Sequence, residues 1–207
     1  DNSNHWIISE IILNQCKQHP KKKIIQFVDG PEWSFDDLKN IAFEKVKTLK
    51  DCSIKQGDTV TIMIDDPIDF IPYWVASSFL GVMFVALNTA LKGSVLLHQI
   101  RLANSNVIIV SDVYYEDVVQ LVQEKEFKIK VLNCSELKST GMILEKDVYH
   151  GKISDEVCTM FTSGTSGPSK GVLMPNAHCV LFAVGTIENY KLDHNHIFYI
   201  SLPLFHA

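Results

Sequence analysis

The stretch Thr162-Ser-Gly-Thr-Ser-Gly-Pro-Ser-Lys-Gly171 decides how this chain is interpreted. Apolar residues flank it at 157–161 and 172–174, which predicts a loop between two antiparallel strands. Its glycines tolerate positive φ, so successive backbone N–H groups can face inward and bind an anion. Its hydroxyl groups and Lys170 add hydrogen bonds and a positive charge. The pattern favours a polyphosphate-binding loop, and the alternative is a Ser/Gly-rich surface turn or linker.

The order of residues within this loop excludes a Walker A motif. That motif has Gly directly before its Lys and Ser or Thr directly after it. In this chain Ser169 precedes Lys170 and Gly171 follows it. Because a strand rather than a helix is predicted after the loop, a helix dipole is not expected to be the main source of its anion affinity.

Residues 161–172 resemble the phosphate loop of the adenylate-forming superfamily, which includes acyl-CoA synthetases, adenylation domains of nonribosomal peptide synthetases, and luciferases. The loop departs from the common pattern at Ser166, where threonine is more frequent, and at Ser169, where proline is. Residues 81–89 and 106–111 are similar to the first sheet region of that family, and residues 203–206 to its aromatic-His segment. The resemblance covers nearly the whole chain.

The resemblance implies an acid–thiol ligase, an acyl-CoA synthetase that forms AMP. ATP activates a small-molecule carboxylic acid to an acyl-adenylate, and the thiol of coenzyme A then displaces AMP. Two negative groups approach each other in the first step, so oriented donors and Mg²⁺ are required. A place in fatty acid metabolism is also implied. Residues 1–207 are interpreted as the N-terminal portion of the AMP-binding (adenylation) domain, truncated before the adenine site and the C-terminal domain, and as inactive alone.

The resemblance also assigns roles to individual residues. It places six loop residues around the β- and γ-phosphates of ATP: Thr162, Ser163, Gly164, Thr165, Ser166 and Gly167. It assigns Lys170 to counter the phosphate charge, Thr162 also to bind Mg²⁺, and His206 to line the acyl pocket, so that Lys170 and His206 are the catalytic candidates. The alternatives are that Thr162 ends a strand and that His206 is an ordinary loop histidine.

Two other functions stay open at this point. One is an amino-acid adenylation domain, in which an acidic residue is more common where this chain has His206. The other is a non-catalytic nucleotide-binding or interaction module. The sequence leaves open the acid, the acceptor thiol and the oligomeric state, including a homo-oligomer.

Composition narrows the class of protein. With 207 residues and 46% hydrophobic content the chain can form a buried core. A net charge of −5 argues against nucleic acid as a partner. Five widely spaced cysteines without a C-x-x-C motif indicate reduced thiols and a cytoplasmic location. The uncharged residues 70–91 are interrupted by Pro72 and Gly81, which favours a buried helix over 68–80 and a strand over 82–87 rather than a transmembrane segment.

Helices alternate with short apolar strands, which predicts an α/β fold with a largely parallel sheet and helices on both faces. Ser34, Ser94, Asp112 and Asn176 are the predicted helix caps, Ser34 together with Asp37. Gly81 is the predicted stop of one helix. Helices are expected over 6–18, 35–49, 68–80, 95–103, 113–124 and 177–190, and strands over 23–28, 59–64, 82–87, 107–110, 128–132 and 197–202.

Overall fold

The computed structural model describes residues 3–125, 127–162 and 168–205. The α-helices of these residues are α1 (Ile8–Gln18), α2 (Phe35–Asp51), α3 (Pro67–Leu80), α4 (Gly93–Ala103), α5 (Asp112–Glu124) and α6 (Asn176–Tyr190). The strands are β1 (Lys23–Gln26), β2 (Glu32–Ser34), β3 (Thr59–Met63), β4 (Met83–Ala86), β5 (Val107–Val110), β6 (Lys130–Asn133), β7 (Glu156–Phe161) and β8 (Gly171–Pro175).

The main sheet has the strand order β6-β5-β3-β4-β7-β8. Every neighbouring pair is parallel except β7 and β8, which are antiparallel. Successive residues of β3 point to opposite faces of the sheet and pack into two separate apolar clusters. Ile62 belongs to one cluster with Phe79 of α3. Met63 belongs to the other with Ile100 of α4 and Val118 of α5. Helices therefore cover both faces, and the predicted α/β class with a largely parallel sheet is confirmed.

Local signals set several element boundaries. Ser34 and Asp37 form the predicted capping box: the Asp37 N–H donates to Ser34 Oγ over 3.2 Å, and the Ser34 N–H donates to Asp37 Oδ2 over 2.8 Å. Gly81 ends α3 with a left-handed φ of 71°, as predicted. A Cβ there would lie 2.4 Å from the Tyr149 ring, so glycine is also required for the close approach of the 149 segment.

Three of the predicted caps are wrong. The residue before α4 is Lys92, so Ser94 lies inside the helix, and the residue before α5 is Ser111, so Asp112 is the first helical residue. Asn176 is likewise the first residue of α6 rather than its cap. Its side chain instead accepts a hydrogen bond from the Ile8 N–H at 3.1 Å and donates one to the Lys152 carbonyl at 3.0 Å. A long-range tertiary bond thus replaces the expected local one.

Two strand predictions also differ from the structure. Residues 32–34, where no strand was predicted, form β2 and pair with β1. Residues 197–202, predicted as a strand, pair with no strand among the described residues, and Ile197 is 97% exposed. An apolar β-prone run forms a stable strand only when another strand satisfies its backbone groups, and the sheet described here ends at β8.

None of the described helices is both long enough and apolar enough to cross a membrane. The uncharged segment 70–91 instead forms most of α3 and all of β4, as predicted. Phe79 of α3 and Val85 of β4 are fully buried in the two apolar clusters.

Candidate functional site

The Ser/Gly-rich segment connects the antiparallel strands β7 and β8, as its flanking residues predicted. Its two ends are joined by hydrogen bonds. The Thr162 N–H donates to the Lys170 carbonyl over 2.9 Å, and the Lys170 N–H lies 3.3 Å from Thr162 Oγ1. The base of the loop is therefore closed by contacts between its first and last residues.

β7 anchors this loop in the sheet. The strand pairs with β4 on one side and β8 on the other, and its Cys158 and Thr159 are buried. Cys158 Sγ and Cys179 Sγ of α6 form a thiol–thiol hydrogen bond at 3.8 Å, and neither cysteine is in a disulfide. That hydrogen bond raises the pKa of Cys158 and lowers the pKa of Cys179. The pair links β7 to the first turn of α6.

Two residues of α4 contact the end of the loop, and sequence reasoning missed both. His98 Nε2 lies 2.8 Å from the Ser169 carbonyl oxygen, so the ring N–H donates to it. Gln99 Nε2 donates to Ser169 Oγ over 3.3 Å. These partners are about 70 residues apart in the chain. The only local signal is that the polar Gln99 lies next to the apolar residues Leu96 and Ile100, since a buried helix face does not normally carry a glutamine.

Of the predicted site residues, the structure describes Thr162 and Lys170. Thr162 and Lys170 lie together at the base of the loop, and both are exposed. Five predicted phosphate contacts lie outside the described residues: Ser163, Gly164, Thr165, Ser166 and Gly167. His206, the acyl-pocket candidate, lies outside them as well. Their roles stay predictions.

The groups at the base of the loop fit a phosphate better than they fit a bare metal ion. Lys170 supplies a cation that has no ion-pair partner in the part of the chain that the structure describes, and Thr162 supplies a hydroxyl group. Within the described ranges, His, Cys, Asp and Glu side chains form no group of three that could hold a metal. An ammonium group and a hydroxyl group can each donate a hydrogen bond to a phosphate oxygen.

Known proteins have sequences and folds similar to those of this chain. A 2-succinylbenzoate–CoA ligase of Oceanobacillus iheyensis is 29% identical over 98% of this chain, which spans 40% of that relative. The O-succinylbenzoate coenzyme A synthetase (MenE) of Bacillus subtilis in complex with AMP has a TM-score of 0.83 at 23% identity, over 94% of this chain and 49% of that one. The same enzyme with ATP and magnesium ion has a TM-score of 0.82 at 21% identity, over 94% and 51%.

The chain thus spans about half or less of the length of these proteins. The structural likeness confirms the fold of the main sheet and its helices. The sequence of residues 12–207 matches the family of AMP-binding enzymes. This match covers the loop, both of its strands and α4, and the chain therefore belongs to the AMP-binding enzyme family.

Proposed function

We propose that the protein that contains these residues is an AMP-forming acid–thiol ligase. It converts a carboxylic acid to an acyl-adenylate with ATP and then to an acyl-CoA thioester. The observation that carries this proposal is the hairpin loop, whose base holds Thr162 against Lys170 at the edge of a parallel sheet. The names of the relatives, 2-succinylbenzoate–CoA ligase among them, support the same reaction type.

Lys170 has the main electrostatic role in this proposal. An attacking carboxylate and a triphosphate are both anionic, so the barrier falls when positive charge is placed where the pyrophosphate leaves. The Lys170 ammonium group is exposed next to the loop, and its backbone is held by Thr162. Bound Mg²⁺ would further neutralise the triphosphate. Thr162 to Gly167 would hold the phosphates through N–H and hydroxyl groups, with Thr162 also a candidate ligand of the ion.

The remaining roles extend the proposal beyond the described residues. Residues 1–207 would form the N-terminal portion of the adenylation domain, and the proteins compared above are about twice as long or longer. His206 follows Leu204 and Phe205, and these two are partly buried against the apolar cluster that contains Ile62 and Phe79. The resemblance to the adenylate-forming superfamily implies a role for His206 beside the acyl group. Coenzyme A as the acceptor, a fatty or aromatic acid as the substrate, and the cytoplasm as the location belong to the same proposal.

Substitution of Lys170 by alanine tests this function in the complete enzyme. We expect Lys170→Ala to lower acid-dependent ATP–pyrophosphate exchange by about 10²–10³-fold, the cost of removing one preorganised charge contact. The free energy of unfolding should change by less than about 0.5 kcal/mol, because the lysine is exposed. Lys138→Ala, at another exposed lysine outside the loop, is the matched control and should leave the exchange rate unchanged.

Unchanged exchange kinetics in Lys170→Ala would remove this residue from the mechanism. A panel of carboxylic acids, with coenzyme A as the acceptor, identifies the substrate. Exchange that depends only on amino acids, without thioester formation on coenzyme A, would contradict the acyl-CoA ligase assignment and favour an amino-acid adenylation domain.

A further inference from the structure

We propose that His98 and Gln99 of α4 are positioning residues for the ammonium group of Lys170. They act through Ser169, the residue that precedes Lys170 in the chain. This inference rests on the proposed function, because it assigns to the two residues a part in the reaction that Lys170 serves.

The contacts hold both the main chain and the side chain of Ser169. Its carbonyl oxygen accepts a hydrogen bond from His98 Nε2 at 2.8 Å, and its hydroxyl group accepts one from Gln99 Nε2 at 3.3 Å. On its other side, the backbone of Lys170 is bonded to Thr162 across the base of the loop. The backbone of Lys170 is thus held from two directions, and mainly its side chain stays free to move.

α4 is a rigid support for these two contacts. Its Leu96 and Ile100 are buried among apolar residues of β3, β4 and β5. A contact made from a packed helix fixes its partner more closely than one made from a loop. Because the placement of a catalytic group within about 1 Å can change a rate by about 10²-fold, such support has a direct effect on catalysis.

The burial of Gln99 is further evidence that its contact with Ser169 matters. It is only 5% exposed, and a buried amide is costly unless it is hydrogen-bonded. Among the described residues its NH₂ group has Ser169 Oγ as its partner, and its Oε1 has none. A leucine would suit the apolar surroundings at lower cost. The buried amide is therefore best explained by the bond that it makes to the loop.

The presence of serine rather than proline at position 169 gives a reason for the hydrogen bond from Gln99. Proline, the more frequent residue at this point of the family's loop, restricts its own φ near −65° and so stiffens the chain directly. Serine has no such restriction, but it offers a hydroxyl group that proline lacks. In this protein the hydrogen bond from Gln99 takes over the constraint, and α4 becomes part of the support for Lys170.

Double-mutant cycles in the complete enzyme test the proposal. We expect Ser169→Ala and Gln99→Leu each to lower kcat/KM for ATP in pyrophosphate exchange by about 10-fold, and the double variant to be no worse than either one. In a Lys170→Ala background, Ser169→Ala should cause no further loss. Ser169→Thr, which keeps the hydroxyl group, should retain most of the activity. Val95→Ala, on the exposed face of α4, is the control and should behave as wild type.

The outcomes separate this inference from the function on which it rests. If Lys170→Ala lowers exchange but the effects of Ser169→Ala and Gln99→Leu multiply, or persist without the lysine, the positioning role is wrong and the ligase proposal stands. If Lys170→Ala leaves exchange unchanged, the role of the loop in the ligase reaction fails and this inference fails with it. Should Gln99→Leu not fold, Ser169→Ala and Ser169→Thr, at a partly exposed position, still decide whether the bond from Gln99 to the Ser169 hydroxyl group positions Lys170.

Discussion

Helices α3 and α6 have almost the same length, 14 and 15 residues, and both are rich in apolar residues, yet they differ in burial. α3 buries eight of its 14 residues, and Phe79 is 0% exposed. α6 buries only Asn176 and Val180, and its Phe182 is 61% exposed. α3 packs against α2 and β4, whereas α6 leaves Leu181, Phe182, Ile187 and Tyr190 exposed.

The difference shows how the candidate site is held in place. The strands and helices of the sheet's centre are fixed by apolar packing on both faces. At the sheet's edge, β8 buries only Met174 and α6 only Asn176 and Val180. There a small number of hydrogen bonds set positions: Thr162 with Lys170, His98 and Gln99 with Ser169, and Asn176 with Ile8. Predictions about stability can therefore be tested by paired substitutions in the two regions.

The largest expected difference in unfolding free energy is between alanine substitutions at Phe79 and at Phe182. Phe79→Ala should lower the free energy of unfolding by about 3–5 kcal/mol, since it removes a fully buried ring and leaves a cavity. Phe182→Ala should change it by less than about 0.5 kcal/mol, because that ring is mostly exposed. Chemical denaturation of the two variants in parallel measures both values. A large loss from Phe182→Ala would mean that α6 is covered in solution and that the contrast between the helices is smaller than described.

A smaller effect is expected at the polar link between the two regions. Asn176→Ala should cost about 1–3 kcal/mol, because it leaves the buried Ile8 N–H and the Lys152 carbonyl without their partner. Asn189→Ala, at an exposed position of the same helix, is the matched control and should change stability by less than about 0.5 kcal/mol. Equal values from both asparagines in the same denaturation experiment would show that the link does not hold α6 to the rest of the fold.

The smallest effect is expected at a helix cap in the packed region. Ser34→Ala removes the side-chain acceptor of the α2 capping box and should cost about 1 kcal/mol at neutral pH. Hydrogen bonds from the Ser34 side chain and backbone hold the pKa of Asp37 below its ordinary value. A group with a lowered folded-state pKa contributes stability above its ordinary pKa and loses it as the pH falls through the lowered one.

The difference in unfolding free energy between wild type and Ser34→Ala should therefore shrink as the pH falls into the acid range. Denaturation curves recorded at neutral and acid pH check this. A difference that stays constant with pH would mean that the bond between Ser34 and the ionised Asp37 carboxylate adds nothing to the cap.

Patterns confined to a few neighbouring residues predicted their elements well. The apolar run 107–110 became β5 without change, and Ser34 with Asp37 and Gly81 marked one helix start and one helix end correctly. The antiparallel strands around the loop were also predicted, because each strand is itself a short apolar run. In these cases the residues that decide the conformation are adjacent in the chain.

The predictions that failed depended on distant partners. The local sequence around Asn176 is typical of a helix cap, but its side chain accepts a hydrogen bond from the N–H of Ile8, 168 residues away. Residues 197–202 have strand-like composition, but none of the described strands pairs with them. His98 and Gln99 give almost no sign in the sequence that they contact Ser169.

By itself, the sequence determined the α/β class, the succession of most helices and strands along the chain, and the position of a loop whose residue types suit phosphate. Hydrophobic periodicity and turn chemistry act over a few residues, which is why they can be read in one dimension. Only the tertiary structure decided that α4 holds the Lys170 end of that loop and that α6 stays largely exposed. Both depend on which surfaces meet after the chain folds back on itself, and no local pattern encodes that.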